Sequence, residues 1–468
     1  MTDGVTTHGE LNAPGGIEPT IANELVAGID LGSTSVKMLV LDAAGSELVV
    51  ERVPTPWRAG TGGTTEMDGD TLLAAVRALL ATTTDRLSSL TDRRVGAIGI
   101  SGMGETGMVV DAKGVAAAPA FAWFDPRGAE QVAAFPAAVR DAFAGRTGLP
   151  LGVQVTATKL AVLRDNGIDL AGRRWLNLPE FVAAALGGDM ALEYSLTSRT
   201  GLLDQDSGTP WPDMLTALGL DESFLPSLRD AGSAWGSVSA EFGPVLAGAR
   251  ITVAGHDHLV AAQASGALDS GDYHVSLGTA EVLLRVIDGP LGFDARQRLA
   301  DHLINEVRHV VPGKHVLVAG VKTGLLLGRA LQSAGITDRH GRDELDAAVM
   351  ALPFDGALAP GGIEVSGARN DDGILALRLL TDGLSPAEIF GAVLRHSNDE
   401  IKILIDAMNR EVPPAHRATL TGGWASMASV RRARALVLPE LSVSARKEDT
   451  AFGAARAASR LLQRAAAG

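Results

Sequence analysis

The sequence predicts an α/β protein of two similar domains flanking a cleft, and three observations carry that expectation. The chain has 468 residues, more than one hydrophobic core ordinarily organises. A plan of strand, Gly-rich turn, strand and a second turn occurs at Val26–Gly45 and again at Tyr273–Gly289, and internal similarity of this kind fixes architecture. Between the two copies, helical stretches alternate with short β-rich runs.

Residues 1–24 are rich in Gly, Pro, Thr and acidic residues without apolar periodicity, and read as a mobile tail with neither the basic nor the apolar region of a signal peptide. Val26–Asp30, Val36–Asp42 and Glu47–Val53 are β-rich runs separated by the Gly32-Ser33-Thr34-Ser35 and Asp42–Gly45 turns, which predicts an antiparallel meander. A helix is expected over about residues 70–90, then strands at Val95–Ser101 and Met108–Asp111. Farther on, an Ile251–Ala254 strand leads into a helix over Leu259–Gly266, and Tyr273–Leu277 and Glu281–Ile287 form the repeated hairpin. Ser385-Pro386-Ala387-Glu388 is a capping box with Pro at the first helical position. Apolar residues then recur at helical spacing through Val393, Leu394, Ile401 and Leu404. The expected division is an N-terminal domain over residues 25–268 and a C-terminal domain over residues 269–462.

Composition narrows the function. Hydrophobic residues make up 46% and charged residues 21%, ordinary for a globular protein. Lys and Arg number 41 against 55 Asp and Glu, a formal charge of −14, which argues against nucleic acid or an anionic membrane as partner. There are no cysteines, which removes disulfides, thiolate catalysis and Cys-ligated metal centres and fits a reducing cytoplasm. No apolar run approaches the about 20 residues of a membrane span. A homodimer stays open as an assembly.

Five constellations could carry chemistry. Asp30 ends a buried strand at the Gly32-Ser33-Thr34-Ser35 turn, whose N–H groups and hydroxyls can surround phosphate oxygens while the carboxylate holds Mg2+ or its waters. Lys37 follows within reach of a phosphate; a solvated strand lysine is the alternative. Gly278-Thr279 occupies the matching turn of the repeat, so two such turns can clamp a polyphosphate from both sides. Asp257, between His256 and His258, sits at a strand-to-helix turn where a carboxylate can take the proton of an attacking hydroxyl; a helix N-cap is the alternative. The two histidines have no third ligand at zinc spacing. Gly102–Gly107 matches GxGxxG, but a strand and turn follow where a dinucleotide site needs a helix. Finally, Gly422-Gly423-Trp424, with the segment Lys447–Ala455 downstream, permits close backbone approach of a flat ligand such as adenine.

Together these residues resemble the FGGY family of carbohydrate kinases over about Val26 to Leu462. Asp30–Lys37 looks like its first phosphate motif, Gly278-Thr279 like its second, and Gly422–Ser426 like its adenosine motif. The resemblance implies two actin-like ATPase (ribonuclease H-like) domains, ATP as donor with Mg2+, and a sugar, ketose or polyol as acceptor. It further implies Asp257 as general base and metal neighbour with Asp30. Met103, Glu105, Trp123, Asp125, Arg127 and His258 would line the acceptor site. Thr156–Leu163 resembles one family signature, with Val162 where Trp is usual. The second departs from the pattern at Arg395-His396-Ser397-Asn398. The competing expectation is an actin-like ATPase of chaperone or filament type, which needs no polar sugar pocket.

Overall fold

The computed structural model describes residues 24–267, 269–353, 362–369, 376–444 and 448–467; residues 1–23 of the expected tail and Lys447 lie outside them. Two mixed sheets organise the chain. The first contains β1 (Leu25–Leu31), β2 (Ser35–Leu41), β3 (Glu47–Pro54), β4 (Val95–Gly102) and β5 (Arg250–His256), in the order β5-β4-β1-β2-β3. β1, β4 and β5 are parallel, and β1, β2 and β3 form the expected antiparallel meander.

The second sheet contains β6 (Asp272–Leu277), β7 (Glu281–Asp288), β8 (Asn305–Arg308), β9 (Lys314–Val321), β10 (Arg417–Thr421) and β11 (Glu440–Val443). Its order is β8-β9-β7-β6-β10-β11, with β6, β10 and β11 parallel. Setting aside the edge strand β8, the two sheets share one topology, so the repeat seen in sequence extends from a hairpin to a whole sheet.

β1 is buried at every position, as a central strand covered on both faces must be. α1 (Gly69–Ser88) packs along β2 and β3, and its buried residues Leu72, Val76, Leu79, Leu80 and Leu87 follow the helical repeat. α2 (Asp257–Ser265) follows β5 directly, α3 (Thr323–Ser333) follows β9, and α4 (Pro386–Glu411) begins with the expected Ser385–Glu388 capping box. α5 (Ala428–Arg434) follows β10 after a short turn. Among the described residues, no helix is long and apolar enough to cross a membrane.

The last helix, α6 (Asp449–Ala467), corrects the expected division of the chain. It packs on β1, β4 and β5 and against α2, so it belongs with the first sheet and not with the block that precedes it. Two glycines explain the close approach. A Cβ on Gly28 would lie 1.9 Å from the Ala451 carbonyl oxygen, and one on Gly99 would lie 1.9 Å from that of Ala454. Val26, Leu39, Ala97, Phe452 and Leu462 form the apolar layer between helix and sheet.

The two units also share a packed joint. The first core continues through Leu284, Val307 and Val316 of the second sheet, and the fully buried Arg296 donates to the Gly145 carbonyl at 2.6 Å. Gly99→Val should therefore cost about 3 kcal/mol of stability or more, because neither backbone can yield. Urea denaturation measures this; an unchanged midpoint would mean that α6 does not bear on β4.

Candidate functional site

The three parallel strands of the first sheet end together. Asp30 lies opposite Ser101 and Leu31 opposite Gly102 between β1 and β4, while β5 brings Gly255 and His256 opposite the same two residues. Asp30, the Ser101–Glu105 segment and His256-Asp257-His258 therefore share the carboxyl edge of the sheet, where ligands of open α/β sheets bind.

Asp30 is buried, and its Oδ1 has no hydrogen-bond partner. Burial, and next the negative charge of Asp257, raise its pKa from 3.8 to about 7. The adjoining turn is fixed from one side: Thr55 donates through Oγ1 to the Gly32 carbonyl (2.6 Å) and through N to the Thr34 carbonyl (3.1 Å). Trp57 Nε1 donates to the Ser33 carbonyl at 2.7 Å. Ser33, Thr34 and Ser35 stay at least partly exposed. Lys37 departs from the expected phosphate contact: its ammonium pairs with Glu448 at 2.7 Å, on the segment leading into α6.

Asp257 is the first residue of α2, and His256, not Asp257, is its N-cap. Burial works to raise the Asp257 pKa, but His258, His256 with its Nε2 3.4 Å from Oδ1, the His258 N–H bonded to Oδ1 at 2.6 Å and the Arg199 charge outweigh it and hold the carboxyl below its usual range. His256 is driven neutral by burial, to about 3. His258 also bears on the second unit, adding to burial in lowering His274 of β6 to about 3.

The remaining predicted acceptor residues divide into two groups. Glu105 has φ +58, a left-handed conformation uncommon outside glycine. Its carbonyl accepts from Thr156 Oγ1 at 3.0 Å, and its carboxylate from Arg199 Nε at 2.6 Å. Trp123 is 41% exposed and packs edge-on against Phe124, which in turn meets Trp57.

Asp125 and Arg127 do other work than direct binding. Asp125 is fully buried, with its oxygens taken by the N–H groups of Thr65 (2.7 Å) and Arg127 (3.0 Å) and by the Arg127 guanidinium. Arg127 also pairs with Glu66 and stacks over Phe121. The buried Lys159 ammonium caps the Asp125 and Arg127 carbonyls. These three residues clamp the loop that presents Trp123. Met103 is a core residue, 4% exposed.

In the second unit the expected nucleotide residues sit side by side. The Gly278-Thr279 turn joins β6 to β7, and Ser276 pairs with Thr421 just before Gly422. Gly422 has φ +89, and a Cβ there would meet the Leu277 carbonyl oxygen at 2.5 Å, so only glycine fits. Gly324, at the start of α3, packs as closely on the Gly278 carbonyl, at 1.9 Å from where its Cβ would be. Gly423 and Trp424 open a single 3-10 turn before α5, and Trp424 stacks with Phe390 and lies under the Arg342 guanidinium.

Sequence reasoning missed the groups that hold these parts. Fully buried Arg434 makes a bidentate pair with Glu281, both bonds 2.6 Å, and a third bond to Asn398 Oδ1, tying the strand after the Gly278-Thr279 turn to the helix after Gly422–Ser426. Asn398 lies in the stretch that departs from the family signature. Arg199 and Trp57 carried no signal beyond being single residues in unremarked segments.

Because the folded-state pKa of Asp30 lies above its ordinary value of 3.8, ionising it opposes folding. The penalty is absent below about pH 4 and grows as pH rises toward 7. In metal-free protein, Asp30→Asn should gain roughly 1–4 kcal/mol over the wild type at pH 8 and nothing at pH 4. Urea titrations at both pH values decide this; an equal gain at both would assign the effect to packing.

The family described as "FGGY family of carbohydrate kinases, N-terminal domain" matches residues 25–263, half of the chain. A glycerol kinase of Thermococcus gammatolerans is 26% identical over 55% of this chain and 53% of its own length, so the match spans about half of that relative. A glycerol kinase of a Chelativorans species is 26% identical over 82% of this chain and 78% of its own. Among solved structures, a xylulose kinase of Brucella ovis aligns with TM-score 0.80 at 23% identity, covering 94% of this chain and 91% of the other. A Plasmodium falciparum glycerol kinase with ADP aligns with TM-score 0.81 at 18% identity, covering 94% and 90%. The fold is therefore the two-domain actin-like ATPase fold that the sequence implied. The chain belongs to the FGGY family of carbohydrate kinases.

Proposed function

We propose that the protein transfers the γ-phosphoryl group of ATP to a hydroxyl of a sugar, ketose or polyol, acting in the cytoplasm. The observation that carries this reading is Asp257: a partly buried carboxyl held ionised at a strand-to-helix turn, beside Glu105 and Arg199 on one hand and Asp30 on the other. A hydroxyl is a weak nucleophile while it keeps its proton, and an ionised carboxylate at this edge can align it and accept that proton. Its low pKa suffices, since proton transfer comes late in a loose phosphoryl-transfer transition state.

The other residues position the two substrates. Glu105 accepts hydrogen bonds from acceptor hydroxyls, Trp123 offers its face to the C–H side of a polyol, and His258 borders the same edge. The turns at Gly32–Ser35 and Gly278-Thr279 would hold the phosphates from the two units, and Gly422–Trp424 the adenosine. Asp30 suits Mg2+, directly or through water: its Oδ1 is buried and unpartnered, and the nearby Asp257 charge invites a cation. No group of three or more metal-ligating side chains occurs among the described residues, as expected for an ion that keeps waters and phosphate oxygens in its shell. When bound, the ion would neutralise charge on the transferring phosphoryl group. A chaperone or filament ATPase finds no support in the family match.

ADP release should rise on adding at least one of glycerol, D-xylulose, L-fuculose or D-gluconate to enzyme and Mg2+–ATP, and stay at background without acceptor. Release indifferent to every acceptor would sink the kinase reading. Asp257→Asn keeps the shape of the side chain but cannot take the proton. It should lower kcat about 10²–10⁴-fold while leaving the binding of ADP and acceptor near normal. Turnover near the wild-type rate in that variant would reduce Asp257 to a helix-start residue.

A further inference from the structure

Arg199 is 8% exposed and lies just past a short helical turn, in a segment outside the motifs that the sequence singled out. Its guanidinium carries five N–H donors in a fixed fork. Nε donates to Glu105 Oε1 at 2.6 Å, and Nη2 contacts the same oxygen. Nη1 is buried and has no hydrogen-bond partner. A buried cationic donor left unpaired is unfavourable in a finished protein interior, and it is the ordinary condition of a group that a ligand completes.

The surroundings say which ligand. A Cβ on Gly104 would lie 2.8 Å from Arg199 Cδ and 2.9 Å from His256 Cδ2, so the missing side chain is what admits the guanidinium between Glu105 and His256. Both Arg199 contacts fall on Glu105 Oε1 and leave Oε2 outside them. An unfilled donor and an unfilled acceptor thus stand on one ion pair, next to the residue proposed as base. The pair is neutral as a unit, whereas Asp257 beside it is ionised, so the Arg199–Glu105 pair itself has no spare positive charge for an acid.

We propose that Arg199 is an acceptor-binding residue: Nη1 donates to one hydroxyl of a vicinal pair while Glu105 accepts from its neighbour, selecting an uncharged diol. This rests on the kinase reading above and names its substrate class. A sugar acid, whose carboxylate would meet the ionised Asp257 while the Arg199 charge is spent on Glu105, is disfavoured. The guanidinium also keeps Glu105 aimed, because charge-assisted bonds to one carboxylate oxygen fix its rotamer.

The test measures kcat/KM for glycerol, D-xylulose, L-fuculose and D-gluconate with the wild type, Arg199→Gln and Arg199→Lys. It then repeats the measurement with mono-deoxy analogues of the preferred acceptor. A neutral polyol should be preferred over D-gluconate by at least about tenfold. Removing one hydroxyl of the recognised pair should lower the wild-type value about 10- to 100-fold, as expected for a hydrogen bond to a charged group. Arg199→Gln should lose a similar factor with the intact acceptor and become indifferent to one deoxygenation, while ADP affinity stays within about twofold. Arg199→Lys, which keeps charge and a donor, should fall between, and its analogue profile decides the matter if the Gln variant fails to fold. A deoxygenation penalty identical in wild type and variants, or a preference for D-gluconate, would overturn the proposal and leave the kinase reading standing. Phosphorylation of none of the four would remove both.

Discussion

Three strands from distant parts of the chain end at Leu31, Gly102 and His256, and the parallel register between them decides what can meet at the site. Because side chains alternate along a strand, a slip of one residue would turn each functional group to the opposite face. The register is held by burial on both faces, and one of those faces is covered by α6, the last helix, seated on Gly28 and Gly99. The end of the chain thereby fixes the geometry of a site built from its beginning. A β-bulge between Val253 and Gly255 adds the final adjustment. Gly255 has φ +107, and a Cβ there would strike Val310 Cγ1 at 2.5 Å and Ser195 Oγ at 2.7 Å. Ser195 Oγ donates to Glu193 at 2.6 Å and accepts the His256 N–H at 3.1 Å, so a buried carboxylate anchors the backbone that carries Asp257.

Three carboxyl groups gather at this edge, and their surroundings separate them. Asp30 has burial and a like charge against it and is pushed up to about 7. Asp257 is less buried, and His258, its N–H and Arg199 hold it ionised. Glu105 is neutralised as a pair by Arg199. Groups of one chemical type whose environments drive them apart can take different tasks at one pH; in the proposed reaction these would be a holder of the cation, a base and a hydrogen-bond acceptor. No single distance produces this division. It follows from which neighbour each strand end brings with it.

Much of the fold was legible because it rests on local signals. The meander, the helix after it, the repeated hairpin and the Ser385–Glu388 cap are each written in adjacent residues, and the motif turns lie where those elements end. What escaped the sequence is carried by pairs far apart in it. Asp125 and Arg127 read as sugar-site residues because they adjoin Trp123, yet Thr65, Glu66 and Lys159 turn them into a clamp. Lys37 read as a phosphate contact because it follows the turn, yet Glu448 reaches it across 411 residues. Arg199 and Glu281–Arg434 had no local pattern at all, since a single charged residue in a helix end looks the same whether it faces solvent or a buried partner. The assignment of α6 failed for the same reason: its apolar stripe shows that it packs, not on which sheet.

The duplicated topology also shows how one plan can supply two functions. β5 and β11 hold equivalent places at the ends of their parallel runs, and each is followed by a helix that begins with an aspartate, Asp257 in α2 and Asp449 in α6. The two helices pack against each other, with Gly453 so close to Val260 that a Cβ would lie 2.6 Å from its Cγ1. Yet the aspartates meet different surroundings. Asp449 receives the Ser444 hydroxyl at 3.3 Å from the strand side, a contact that caps and closes. Asp257 receives the His258 N–H at Oδ1, has His256 Nε2 3.4 Å from the same oxygen, and feels the charges of His258 and Arg199, which leaves Oδ2 outside these contacts. The duplicated frame thus supplies two carboxylates at helix starts, and the loop residues each unit adds, Arg199 and Glu105 in the first and Ser444 in the second, decide which one is left to act.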